Sequence, residues 1–340
     1  EANLTLSLGS EGTYEVVFVC ADLAGNTVRQ THYVTVDMTP PFIKVYLPVD
    51  GMVTSSSVIN VSFVASDAYG VSWVAIYVNG SLQYNISACE ANLTLSLGSE
   101  GTYEVVFVCA DLAGNTVKQV CYVVVDTTPP LIMVFSPMDG MITNSSLILV
   151  NISAEDPHGI RWVALYADGM LKENSSSGIL QSTCSFDEGI HELKIIAVDK
   201  AGNIAEKSLT IKVDLTPPII NIESPSNNSV IQEGVVTIRW TVIDNSSIVL
   251  IKVFVNDVLR YTSSEATLSC ELSLEAGNYV IKVEAIDAAG NKGTGLIIIT
   301  VVKSYTAQGD TLGGITIWLT AFTGFMVGGT IVIILKKRRS

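Results

Sequence analysis

The amino-acid sequence predicts an all-β chain of tandem β-sandwich domains followed by one C-terminal membrane-spanning helix. Three observations carry that expectation: internal repetition, period-2 alternation throughout the repeated part, and a charge-free apolar run near the end. Residues 1–28 recur letter for letter at 90–117, an offset of 89. A further step of 88 carries Asp126-Thr-Thr-Pro-Pro to Asp214-Leu-Thr-Pro-Pro, and the Ala-Gly-Asn at 113–115 to 201–203 and then 289–291. A fixed period of this size marks serial structural units. The expected units are a partial repeat (1–37), three whole repeats (38–126, 127–214 and 215–302), a stalk (303–311), the apolar span (312–335) and a basic tail (336–340). Glu1 aligns with Glu90 in mid-repeat, so a signal sequence and further domains are expected upstream.

In the second repeat the alternating segments are 42–47, 58–65, 71–78, 82–86, 91–97, 101–110 and 116–125, separated by Gly, Asn, Asp or Pro. Seven short strands in one such repeat are the signature of an immunoglobulin-like (Ig-like) sandwich. Comparing repeats fixes the inward parity of the sixth strand. Tyr103, Val105, Phe107 and Cys109 align with His191, Leu193, Ile195 and Ala197, and with Tyr279, Ile281, Val283 and Ala285. Glu104, Glu192, Lys194, Lys282 and Glu284 take the other parity and are expected to face water. Tyr14, Tyr103 and Tyr279 stand two residues after a corner Gly, where a tyrosine corner forms.

The repeats follow one pattern in order: D-x-T-P-P, S-P-x-D-G (with Leu47 for the Ser in the second repeat), D-x-x-G-[VI]-x-W-V-A-[LI]-Y-x-[ND]-G, G-x-[YH]-E and D-x-A-G-N. Together they resemble the bacterial-type Ig-like repeats of bacterial and archaeal surface proteins, over residues 1–302. The resemblance implies sandwich domains that serve as stalks, spacers, adhesin modules or accessory domains of secreted enzymes. The fourth repeat departs from the pattern, with Leu250 in place of the Trp and Asn256-Asp257 in place of the [ND]-G turn.

From Leu312 to Leu335 there is no charge, and Lys336, Lys337, Arg338 and Arg339 follow at once. About 20 apolar residues cross the hydrocarbon core as a helix. A Lys/Arg cluster stays on the cytoplasmic side, which leaves the repeats outside the cell. Thr316, Thr320, Gly324 and Gly328 recur every four residues along this span. Such a small-residue face either packs a second helix, giving a homodimer, or reflects the ordinary use of small residues in lipid.

The formal charge is −14, and setting aside the four tail cations leaves −18. An acidic outer part argues against nucleic acid or anionic lipid as partner and leaves extracellular protein or glycan. Ten N-x-[ST] sequons lie at Asn3, Asn60, Asn79, Asn85, Asn92, Asn144, Asn151, Asn174, Asn227 and Asn245. They are either glycosylation acceptors or the Asn and Ser that sandwich turns favour. Of the six cysteines, Cys89, Cys109 and Cys121 point inward by parity. Cys89 and Cys109 fall at one end of the sandwich on opposite sheets, placed for a disulfide or as buried thiols. Cys184 and Cys270 are alone in their repeats.

No CxxC, HExxH or Gly-rich phosphate loop occurs, and His32, His158 and His191 lie in no catalytic spacing. The visible chain therefore reads as non-catalytic. Its leading interpretation is a membrane-anchored stalk or adhesin-like array that displays upstream domains or binds extracellular partners. The alternative is the spacer and anchor of a surface hydrolase, a protease or glycosidase, whose catalytic domain lies upstream. A sorting substrate ranks last, because the segment before Leu312 holds no recognition motif.

Strand parity marks one further site and the topology of the sandwich loops another. The outer face of the second repeat combines Trp73, Tyr77, Val106, Val108, Val120, Tyr122 and Val124, an apolar set that marks a contact surface. The opposite parity would make Trp73 the core Trp of its strand. At each domain junction three Asp converge with an Asn: Asp37, Asp67, Asp111 and Asn115; Asp126, Asp156, Asp199 and Asn203; Asp214, Asp244, Asp287 and Asn291. Calcium takes six to eight oxygens and would suit such a set with help from carbonyls and water. Asx-turn chemistry accounts for the same residues without an ion.

Overall fold

The computed structural model describes residues 3–264 and 268–304. The expected anchor and tail, with Thr316, Thr320, Gly324 and Gly328, lie outside the described residues. Among the described residues no helix is long and apolar enough to cross a membrane, and the regular structure is β throughout.

In the partial repeat, β1 (Gly12–Ala21) and β2 (Thr27–Val36) form an antiparallel ribbon. Phe18 is 57% exposed there, because no second sheet covers the ribbon among the described residues. The second repeat contains β3 (Phe42–Leu47), β4 (Met52–Thr54), β5 (Val58–Ser66), β6 (Val71–Val78), β7 (Ser81–Ile86), β8 (Glu90–Ser96), β9 (Gly101–Asp111) and β10 (Thr116–Val125). A three-stranded sheet, β3-β5-β8, faces a five-stranded sheet, β4-β10-β9-β6-β7. The third repeat repeats this plan with β11 (Leu131–Ser136), β12 (Met141–Thr143), β13 (Leu147–Glu155), β14 (Ile160–Ala167), β15 (Met170–Ser175), β16 (Ile179–Ser185), β17 (Gly189–Asp199) and β18 (Ile204–Val213). So does the fourth, with β19 (Ile219–Ser224), β20 (Ser229–Gln232), β21 (Gly234–Ile243), β22 (Ile248–Val255), β23 (Val258–Ser263), β24 (Ser269–Leu274), β25 (Gly277–Asp287) and β26 (Lys292–Val302).

Alternation decides the core, since every second side chain of a strand meets the facing sheet. Ile59, Val61, Phe63 and Leu95 from the smaller sheet pack on Val74, Ile76, Val105, Phe107, Cys109 and Val123 from the larger one. Phe63 and Phe107 meet edge to face with centroids 6.1 Å apart. Of the expected inward residues of the sixth strand, Val105, Phe107, Cys109, Leu193, Ile195, Ala197, Ile281, Val283 and Ala285 are buried, while Tyr103, His191 and Tyr279 near its start are half-buried. Trp73 and Trp162 are only half-buried, on the outer face. The fourth sandwich does have a core Trp, but it is Trp240 on β21, 1% exposed.

The motifs acquire structural roles. Tyr14, Tyr103 and Tyr279 each donate a hydroxyl hydrogen bond to the carbonyl four residues back, Ser10, Ser99 and Glu275, at 2.8, 2.6 and 3.0 Å. His191 replaces them with Nε2 2.9 Å from the Asp187 carbonyl. The S-P-x-D-G segment at 136–140 and its counterparts at 47–51 and 224–228 carry a cis peptide before Pro137, Pro48 and Pro225. Its acid seats the short strand beside the last one: Asp50 accepts the Tyr122 N–H and Asp139 the Thr210 N–H, both at 2.8 Å. Asn227 does the same for Ile298 at 2.9 Å.

Two expectations need correction. Glu284 has outward parity, yet it is only 6% exposed, because Lys282 and Lys292 close over it with Nζ 3.2 and 2.9 Å from Oε1. The Cys89–Cys109 bridge is not formed, and both are free thiols, Cys109 buried and Cys89 exposed. Cys89 lies just before β8, so the alternation that would turn it inward does not reach it. Its carbonyl instead accepts the Ala65 N–H at 2.6 Å.

Candidate sites at the sandwich joints and on the outer sheets

Each D-x-A-G-N motif is a turn closed on its own acid. Asp111, 2% exposed, accepts the N–H groups of Ala113, Gly114 and Asn115 on Oδ1 at 2.8, 2.7 and 2.9 Å. Its Oδ2 accepts Asn115 Nδ2 at 2.8 Å, and the same Nδ2 reaches the Asp37 carbonyl at 3.1 Å. Gly114 sits at φ 96°, a left-handed position that a side chain would strain. Burial pushes the Asp111 carboxyl up, but the bonds from Asn115, Gly114 and Ala113 outweigh it and hold it below the usual carboxylate value. In the third repeat Asn203 Nδ2 bonds Asp199 Oδ2 at 2.8 Å and the Asp126 carbonyl at 2.9 Å. In the fourth, Asn291 Nδ2 bonds Asp287 Oδ2 and the Asp214 carbonyl, both at 2.8 Å. The motif thus fastens the turn after the long strand to the Asp that begins each sandwich.

Outside the sandwich the same linkers are gripped by the preceding repeat. Glu11 Oε2 accepts Thr39 Oγ1 at 2.9 Å, and Glu100 Oε2 accepts both Thr127 and Thr128 Oγ1 at 2.9 Å. The Thr128 and Thr127 hydroxyls hold the Glu100 carboxyl below its usual value. Between the second and third sandwiches the Ser55 N–H also donates to the Ala201 carbonyl at 3.2 Å.

The convergence of acids expected from sequence is present in two of the three joints. Ligand atoms of Asp37, Asp67 and Asp111 lie within 4.8 Å of one another, as do those of Asp214, Asp244 and Asp287. In the third repeat the grouped residues are Asp126, Asp156 and His158, not Asp199. The residue two beyond the middle Asp makes the difference. In the third repeat it is His158, whose Nδ1 lies 3.0 Å from Asp126 Oδ2. In the fourth it is Ser246, whose hydroxyl donates to Asp214 Oδ2. In the second it is Tyr69, 39% exposed, and Asp37 Oδ2 is left buried without a hydrogen-bond partner. Calcium demands oxygen ligands, whereas an imidazole nitrogen suits other metals. The Asp37, Asp67 and Asp111 set offers carboxylate oxygens, the donor type that calcium takes. At the third joint an imidazole nitrogen stands beside the acids instead.

On the outer face of the larger sheet, Trp73 and Tyr77 are half-buried and Tyr122 is 50% exposed. Val108, Val120 and Val124 are half-buried, and Val106 is 6% exposed beneath its neighbours. The third repeat carries the same aromatic pair, Trp162 and Tyr166, beside a groove of about 670 Å³ that also includes Ala164, Leu171, Asn174 and Ser176. Sequence reading missed this groove, because it depends on the pairing of β14 with β15. The signal available was the offset of 89 that relates Asn85 to Asn174. Of the ten sequon asparagines all are exposed except Asn151, which is half-buried. Asn79 and Asn227 spend their side-chain oxygens on the Glu104 and Ile298 N–H groups.

Residues 218–283 match the family described as the bacterial Ig domain. Among solved structures, the fibronectin(III)-like modules of Clostridium thermocellum CbhA are 21% identical with a TM-score of 0.37, covering 51% of this chain and 94% of that one. A bacterial ice-binding adhesin of 1.5 MDa is 16% identical with a TM-score of 0.35, covering 79% and 100%. A tetra-tandem repeat from the extending region of a large adhesion protein is 17% identical with a TM-score of 0.37, covering 86% and 82%. No curated protein matches the chain.

Proposed function

We propose that this chain is the membrane-anchored, non-catalytic extender region of a cell-surface protein, holding whatever precedes it away from the bilayer. The observation that carries the reading is one joint used three times: Asn115, Asn203 and Asn291 each tie a buried Asp to the carbonyl of the Asp that begins the sandwich. A region copied in this way gains from repetition of a rigid unit, where a catalytic domain would gain little. The bacterial Ig domain at 218–283 is consistent with that role. The apolar run at 312–335 and the cations after it supply the anchor, with the C-terminus cytoplasmic. Thr316, Thr320, Gly324 and Gly328 offer a face for a homodimer of anchors. The exposed sequons support a glycosylated outer part, whose partners are extracellular protein or glycan. Calcium at Asp37, Asp67 and Asp111 would offset repulsion between the carboxylates and stiffen that joint.

The test is retention. The full chain stays in the membrane fraction through alkaline carbonate extraction, and a chain ending at Ser304 is released in soluble form. Extraction of the full chain by carbonate, or retention of the shortened one, would overturn the reading.

A further inference from the structure

The outer sheets of the second and third repeats share an arrangement that goes beyond an apolar surface. On β6 the outward residues are Trp73, Ala75 and Tyr77, and on β14 they are Trp162, Ala164 and Tyr166. Pairing sets Asn85 directly opposite Ala75, and Asn174 directly opposite Ala164. Residues opposed in this way share a face, with Cβ atoms about 5 Å apart and diagonal neighbours about 7–8 Å apart. Each Asn therefore stands over the smallest residue of the row, with the Trp two residues before that Ala and the Tyr two after it, where a register shift sets Tyr77 opposite Leu82 and Tyr166 opposite Leu171. Both asparagines are exposed and open sequons, Asn85-Ile-Ser and Asn174-Ser-Ser. Neither side chain makes a hydrogen bond among the described residues. In the third repeat both Asn174 and Ser176 line the groove beside Trp162 and Tyr166.

The fourth repeat supplies the contrast. There the opposed pair is Lys252 and Thr262, so the acceptor Asn is gone although Ser264 keeps the sequon's hydroxyl position. Leu250 replaces the Trp, Phe254 replaces the Tyr, and the small Ala has become a Lys. Lys282 covers the Phe254 ring, with Nζ 4.4 Å from its centroid. Acceptor, aromatic pair and open trough are lost together, as expected of parts that serve one another.

We propose that the glycan carried by Asn174 lies on its own sheet, its first sugar seated over Ala164 and stacked on Trp162 and Tyr166, and that the glycan of Asn85 does the same on Trp73 and Tyr77. The inference rests on the extracellular, glycosylated reading given above. A pyranose presents a face of C–H bonds to the electron-rich face of an aromatic ring, while its hydroxyls stay in water. The linkage forms when Nδ2 of the Asn attacks the anomeric carbon of a polyprenyl-pyrophosphate-linked oligosaccharide. The carbon–oxygen bond to the pyrophosphate breaks, the lipid pyrophosphate leaves with the electron pair, and one amide proton passes to solvent. Nothing is oxidised or reduced. The seated sugar covers the parts of the Trp and Tyr that the fold leaves accessible, both side chains being only partly buried.

The test uses the full chain purified from its native host, with glycopeptide mass spectrometry for occupancy and hydroxyl-radical footprinting for residue-level exposure. Asn85 and Asn174 are expected to be occupied. Asn174→Gln raises oxidation of Trp162 and Tyr166 several-fold while Trp73 is unchanged, and Asn85→Gln does the reverse. Occupancy at both sites with unchanged oxidation overturns the seating and leaves the glycoprotein reading standing. Occupancy at other sequons but not at these two also overturns this proposal alone, whereas ten empty sequons overturn both. Protection of Trp162 in unglycosylated protein by added free oligosaccharide would overturn it too, marking the groove as a site for a foreign glycan.

Discussion

Replacing Asn291 by Ala is the most informative single perturbation of the joint. Asn291 is 9% exposed, and its Nδ2 makes two bonds, to Asp287 Oδ2 and to the Asp214 carbonyl, both at 2.8 Å. Ala removes both and leaves a carboxylate oxygen and a carbonyl short of a donor inside the protein. The charged bond contributes about 2 kcal/mol and the neutral one about 1, so the expected loss is roughly 3 kcal/mol. With a urea slope near 1.5 kcal/mol per molar for a domain of this size, the midpoint of the fourth sandwich falls by about 2 M. Trp240, in the core of that sandwich, is the fluorescent reporter, in residues 1–304 with Trp73 and Trp162 changed to Phe. Asn291→Asp keeps the shape but removes the Nδ2 donor and sets a second carboxylate against Asp287, so it too lowers the midpoint. A midpoint shift within the range of an ordinary surface substitution, about 0.3 M, would refute the claim that this residue locks the turn to the start of its sandwich.

Other expectations follow from neighbouring groups. Burial lowers the His191 pKa, but Asp168 and the Asp187 carbonyl outweigh it and leave the imidazole above its ordinary value. Its stabilisation is thus full below about pH 6.5 and lost as pH rises through the raised value. His191→Tyr, which restores the hydroxyl corner of the other repeats, should remove that pH dependence from the melting of the third sandwich. Glu284 behaves oppositely: burial raises it, and the Lys292 and Lys282 bonds outweigh burial and depress it. Its contribution is present above the ordinary Glu value and lost as pH falls through the depressed one, so Glu284→Gln should flatten the acid limb of the fourth sandwich's stability. Burial, then nearby Cys89, Asp111 and Asp67, push Cys109 up to about 11. Maleimide at pH 7 should therefore modify Cys89 in the folded chain and spare Cys109, which reacts only on unfolding. Millimolar calcium should raise the melting temperature of the second sandwich, and Asp37→Asn should abolish the rise. A calcium effect that survives Asp37→Asn would place the ion elsewhere.

The long strands were legible because alternation over eight to eleven residues is unambiguous, as in Val105, Phe107 and Cys109 of β9. The short strand β4 was not, since Met52–Thr54 is too brief to show a period. It exists because Asp50 and Gly51 pin the chain to Tyr122. The Asp convergence was readable from topology and motif spacing. What closes each joint was not, because Tyr69, His158 and Ser246 lie in turns where no periodicity says which way a side chain points. Glu284 shows a further limit: parity tells which face a residue occupies, but not that two long lysines fold over it.

The central claim, an array held outside the cell by its tail, is tested most directly by labelling intact cells with a membrane-impermeant maleimide. Cys89 is exposed, and the substitution Ser340→Cys adds a thiol to the basic tail. The account predicts that Cys89 is labelled at once, and that the added tail thiol is labelled only after the membrane is permeabilised. Labelling of the tail thiol on intact cells, or protection of Cys89 until permeabilisation, would contradict it.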